Sequence, residues 1–119
     1  MIKLTDAEWK IATRLWDNGS MTITELTKAL KDESGWSKNT IITLLKRMEE
    51  KGAVHYVQEN RAKRFIPSID RSEAEIDETT TFLDKVYNGN VGLMISNLIK
   101  SDKLTKEDIE ELYRILEDK

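Results

Sequence analysis

Seven side chains between Ser37 and Arg47 are of the types that hold and read a nucleic-acid duplex: Ser37, Lys38, Asn39, Thr40, Thr43, Lys46 and Arg47. An asparagine carboxamide pairs bidentately with adenine. A threonine hydrogen-bonds a base edge or touches a thymine methyl. Lys38, Lys46 and Arg47 suit phosphate oxygens, which fix register without carrying sequence information. Ile42 falls among them and stands apart: a thymine methyl would explain it, and so would an ordinary exposed apolar residue that needs no partner. A second basic group follows at Arg61, Lys63 and Arg64. These three suit phosphates or a neighbouring minor groove. Each cation taken singly reads as solvated charge, and the case rests on their order along the chain.

That order requires particular elements. Ile41, Leu44, Leu45 and Met48 recur at i, i+3, i+4 and i+7 and give one buried stripe, which turns the polar residues outward. Ser37 is the expected N-cap, Trp36 and Ile41 its staple pair, and Lys51-Gly52 the end of this helix. Two helices precede it. Thr5-Asp6-Ala7-Glu8 forms a capping box with Leu4 and Trp9 as staple, and that helix runs to Asn18-Gly19. Thr22 and Glu25 repeat the box for a short helix that ends near Lys31, leaving Asp32 to Gly35 as a polar turn. After the third helix, Val54, Tyr56 and Phe65 have strand character around a turn at Glu59-Asn60-Arg61, and Pro67 ends the ribbon. Three helices followed by a basic two-stranded ribbon predict a winged helix-turn-helix over residues 1–69, with the third helix as the recognition element.

The 119 residues carry a formal net charge of −3. This conceals a division: residues 1–67 hold 12 basic and 9 acidic side chains, a balance of +3, and residues 68–119 hold 7 and 13, a balance of −6. Chance segregation is one reading, and a basic binding unit joined to an acidic unit with another task is the other. No cysteine is present, which excludes disulfides and thiolate metal sites. No apolar run approaches the roughly 18 residues of a membrane helix. The start, MIKLTDAEWK, lacks the apolar core of a secretion signal, so a cytoplasmic protein without membrane insertion is expected. An enzyme is not expected. His55 is the one histidine, no glycine-rich phosphate loop occurs, and Glu49-Glu50 and Glu110-Glu111 are neighbours that point apart on helix surfaces. No cofactor is implied.

Residues 70–119 read as a helical unit. Asp70-Arg71-Ser72-Glu73 opens a helix to about Tyr87, with Thr79, Phe82, Leu83 and Val86 as its stripe. Asn88-Gly89-Asn90 breaks it. Val91, Met94, Ile95, Leu98 and Ile99 mark a second, strongly apolar helix. Thr105 caps a third, whose stripe is Ile109, Leu112, Tyr113 and Leu116. Three short helices cannot bury this surface alone. They pack either on the winged helix of their own chain or on a second copy. A two-fold dimer is the commoner solution, through Phe82, Leu83, Val86, Met94, Ile95, Leu98, Ile99, Leu112 and Leu116. Two recognition helices would then read a palindrome.

LTDAEW near the start, GWSKNTIITLLKRMEEKG, the ribbon ending in RFIP, and FLDKVYNG together resemble the penicillinase-repressor family, the regulators of β-lactamase and of methicillin resistance, with copper-responsive repressors as relatives. The resemblance runs from about Leu4 to Leu116. It implies a mainly α fold with a small β-hairpin wing and a helical dimerisation unit. It also implies a homodimeric repressor on double-stranded operators built from TACA/TGTA half-sites. A membrane β-lactam sensor-protease would act upstream, with a cut in the middle C-terminal helix that maps to Asn97–Leu98. Leu98 departs from the aromatic residue of the best-known members, and an uncut helix position is the other reading. Ile42 departs from the polar or basic residue usual at its position. The copper branch binds metal through a C-terminal cysteine cluster, which this chain lacks. Two further classes stand beside the repressor: a winged helix that binds only protein, and a repressor relieved by a small molecule near Trp9, Trp16 and Trp36, although those tryptophans suit the core.

Overall fold

The structure, a computed structural model, describes residues 2–119. The elements in order are α1 (Asp6–Asn18), β1 (Met21–Thr22), α2 (Ile23–Ser34), α3 (Lys38–Lys51), β2 (Val54–Glu59), β3 (Ala62–Pro67), α4 (Arg71–Tyr87), α5 (Val91–Lys100) and α6 (Lys106–Glu117). The chain falls into two compact units, Met1–Asp77 and Glu78–Lys119, which divide within α4.

Local chemistry starts and stops the helices of the first unit. Thr5 and Glu8 form the predicted box on α1, Thr22 and Glu25 that on α2, and the Ser37 hydroxyl accepts from the Thr40 amide on α3. Gly35 and Gly52 close α2 and α3 in left-handed backbone, at φ 64° and 81°, where a side chain would be strained. α2 is one turn longer than its sequence suggested. Asp32, Glu33 and Ser34 remain helical because the Gly35 amide donates back to the carbonyls of Leu30 and Lys31, so the turn is only Gly35 to Ser37.

The apolar stripes converge on one core. Ile11 and Leu15 of α1, Leu26 and Leu30 of α2, and Ile41, Leu45 and Met48 of α3 are fully buried. Each such side chain is worth about 1.5–3 kcal/mol in removed apolar surface. The ribbon is part of a three-stranded antiparallel sheet of order β1-β3-β2. The third strand, β1, was not expected. Met21 pairs with Phe65 and Thr22 with Arg64, while Tyr56 faces Phe65 from the other side. Phe65 is thereby buried between two strands and anchors the wing to the core. Within the same unit, the Trp16 indole donates to the Ile69 carbonyl at 3.1 Å, Arg71 pairs with Asp17, and Ala74 of α4 is buried.

The second unit has well-formed helices and no interior. Asn90 caps α5 through the Leu93 amide, and Thr105 with Asp108 boxes α6. Among the described residues, none from Glu78 to Lys119 is buried. Leu112 and Leu116 of α6 are 39% and 66% exposed. Ile95, Ile99, Leu104, Ile109, Leu112, Tyr113 and Leu116 line an open apolar cavity of about 280 Å³.

Candidate nucleic-acid interface

α3 presents its polar face as one exposed strip. Lys38, Asn39, Thr40, Ile42, Thr43, Lys46 and Arg47 are all exposed, while Ile41, Leu44, Leu45 and Met48 behind them are buried. The strip is stiff at its N-terminal end. The Thr40 amide donates to the Ser37 hydroxyl at 3.2 Å, and the two hydroxyls lie 3.2 Å apart. The Thr43 hydroxyl donates to the Asn39 carbonyl at 3.0 Å. That bond uses its proton and leaves its lone pairs outward, so Thr43 is set to accept from a base amino group or to offer its methyl. The Asn39 carboxamide faces solvent without such a local bond.

The far end of α3 is tied down. Lys51, in its last turn, forms an ion pair with Glu8 and donates to the Lys3 carbonyl at 2.9 Å. Glu8 is only 1% exposed. Burial pushes its carboxyl up, but hydrogen bonds from Lys51 and Thr5, and the Lys51 charge, outweigh this and leave its pKa below the ordinary value of 4.5. One side chain thus closes the box on α1 and fixes the position of α3. The sequence showed the box but not the pair, because Lys51 lies 43 residues away.

The wing brings its cations to the same side of the unit. Arg61 and Lys63 are exposed, and the Lys63 ammonium lies 4.3 Å from the centroid of the Tyr56 ring. Arg64 differs from the expectation that grouped it with them. Its guanidinium donates to Glu59 at 2.7 Å and to Glu25 at 3.2 Å, so it holds the wing to α2 and is not a free cation. Both carboxylates hold its pKa above the ordinary arginine value. The hydrogen bond to Glu59 is the larger cause, and Glu25 adds to it because Arg64 faces Thr22, the box partner of Glu25, across the sheet.

Two clefts flank the first residue of α2. One, of about 300 Å³, lies among Thr22, Ile23, Thr24, Lys38, Arg61, Ala62 and Lys63. The other, of about 270 Å³, lies among Ile23, Ile42, Leu45, Lys46, Glu49, Lys63 and Phe65. Sequence reading had no means of finding Ile23 and Phe65 here. A cleft assembled from α2, α3 and β3 leaves no period in any one of them. The three tryptophans are half-buried against the core, with Trp9 and Trp16 ring centroids 5.7 Å apart.

Among the described residues no group of acidic, histidine or cysteine side chains is placed to hold a metal ion, and no helix is long and apolar enough to cross a membrane. What the strip, the clefts and the wing offer is hydrogen bonds, fixed cations and apolar contact.

The family model described as Penicillinase repressor matches residues 4–118. The penicillinase repressor of Bacillus licheniformis is 36% identical over 116 residues, covering 98% of this chain and 91% of that protein. The methicillin resistance regulatory protein MecI of Staphylococcus aureus (strain N315) is 25% identical over 98% of this chain and 95% of its own. The solved monomeric form of Bacillus licheniformis BlaI in complex with the blaP half-operator is similar at a TM-score of 0.54 and 35% identity, over 61% of this chain and 90% of that one.

Proposed function

From membership of the penicillinase repressor family, to which this chain belongs, we propose that it is a homodimeric transcriptional repressor of palindromic operator DNA. The observation that carries this reading is the exposed strip of α3, rigidly held at both ends and flanked by the exposed cations Arg61 and Lys63 of the wing. The relative solved on its half-operator supports it. The family is one of repressors, not of enzymes.

In this reading α3 lies in the major groove. Asn39 pairs with an adenine, and Thr40 and Thr43 contact adjoining base edges. Lys38, Lys46, Arg47, Arg61 and Lys63 neutralise phosphates, and Ser37 holds the helix start against the backbone. Arg64 acts from one step behind, by keeping the wing in place. Residues 70–119 pair with a second copy through the apolar stripes of α4, α5 and α6, so that two strips enter successive major grooves on one face of the duplex. The operator is of TACA/TGTA type, and the site of action is the cytoplasm, where that DNA lies.

Release by proteolysis, under a membrane β-lactam sensor-protease, fits the position of Asn97–Leu98. Asn97 is exposed and its amide lies 3.3 Å from the Tyr87 hydroxyl, and Leu98 is half-buried in the stripe that a dimer would cover. A cut there would remove Leu98, Ile99 and Lys100 from the end of α5, and α6 with them. Terminal sequencing of the fragments formed in cells given a β-lactam tests this, and a cut at any other bond removes the assignment.

The DNA reading is tested by titrating the protein on a TACA/TGTA palindrome and on a scrambled duplex at several salt concentrations. A preference of about a thousandfold or more, falling with salt, is the expected result. Equal and weak binding to both duplexes would leave a winged helix whose partner is protein.

A further inference from the structure

Ile42 is the apolar member of the exposed strip, and it is 40% exposed. It stands one residue before Thr43 and three after Asn39, at the centre of the face assigned to the major groove. It also borders the cleft of about 270 Å³, together with Ile23, Leu45 and Phe65, and the two cations Lys46 and Lys63 outnumber the single carboxylate, Glu49, in its lining. A β-branched side chain on a helix is held in essentially one χ1 rotamer, so the two γ-carbons of Ile42 are fixed in direction before any ligand arrives.

This geometry constrains what can face Ile42. The side chain has neither donor nor acceptor, so a base edge pressed against it loses water without replacement unless that edge is apolar. In the major groove one base presents an apolar group, the C5-methyl of thymine. The two cations beside the cleft attract the flanking phosphates and draw one strand across its opening. We propose that Ile42, backed by the apolar cleft between α3 and the wing, receives the methyl group of one thymine in each half-site and so sets an A·T preference at that base pair. The inference rests on the DNA reading above and adds a specificity-determining residue to it.

The test lets the protein choose its own site. Duplexes are selected from a random pool, and each thymine of the enriched site is then replaced singly by uracil, which removes the methyl and leaves the pairing intact. At one thymine per half-site the replacement weakens binding by about fourfold, the worth of one buried methyl group. The penalty is absent in Ile42→Ala, with thermal unfolding showing that the fold is kept. Ile42→Gln, which restores length and a polar end, serves the same arm if the alanine variant unfolds. Uracil without effect at every position, or with the same effect in both proteins, overturns the inference and leaves the DNA reading standing. A pool that enriches no sequence overturns the DNA reading and this inference together.

Discussion

Single side chains divide the proposed interface into readers, holders and props. Asn39 is a reader, with its carboxamide free in solvent. Asn39→Ala is expected to cost about 1–3 kcal/mol on operator DNA and little on scrambled DNA, measured by fluorescence anisotropy. Lys63 is a holder. Its replacement by alanine should weaken both duplexes alike and lower the slope of log affinity against log salt by about one. Arg64, bound to Glu25 and Glu59, is a prop, so Arg64→Ala should loosen the wing that carries Arg61 and Lys63, seen already in the free protein as faster amide hydrogen exchange in β3. The sequence placed these two neighbours in one class because it shows charge but not partners, and Glu25 lies 39 residues from Arg64. Glu8 carries the pH dependence. Its carboxyl is held below its ordinary value in the folded chain, so the unfolded chain binds the proton more readily. The stabilisation is therefore complete above a pH of about 4.5 and lost as the pH falls through the lower folded value. Melting temperature should drop in that acid range, and Glu8→Gln should flatten the decline.

At the scale of elements, helix boundaries were the legible part. Caps and boxes are written in four consecutive residues, and Thr5, Thr22, Ser37 and Thr105 all act as read. The last turn of α2 was missed because Asp32 and Ser34 have weak helix preference, yet the backbone bonds from the Gly35 amide outweigh it. β1 was missed for a different reason. Two residues have no period, and the partner strand that makes Met21 and Thr22 a strand lies far along the chain. Thr22 consequently works twice, as a strand residue and as the cap of α2. Thr22→Ala should remove about 1 kcal/mol and lower the melting temperature by about 4 °C. Glu25 still accepts from the Thr22 backbone amide in that variant, so the Arg64 pair and the wing should stay in place, as amide chemical shifts of β3 would show.

For the whole molecule, the sequence showed two parts of opposite charge and three amphipathic C-terminal helices, but not what covers them. The structure sharpens that question, since no residue from Glu78 to Lys119 is buried. Pairing with a second copy would supply the missing interior, and Leu98→Asp should yield monomers in sedimentation velocity. Operator affinity should fall in the same variant, because the second half-site is then bound from solution and not from the same complex. The absence of an interior bears on the lifetime of the protein as much as on its assembly. A segment whose helices gain their stability only from a partner opens readily when that partner is lost, and proteases of the cell degrade a chain in proportion to how often it is open. Single copies would then be cleared faster than pairs, so that once assembly fails the pool of repressor decays on its own, and the return of repression waits on new synthesis.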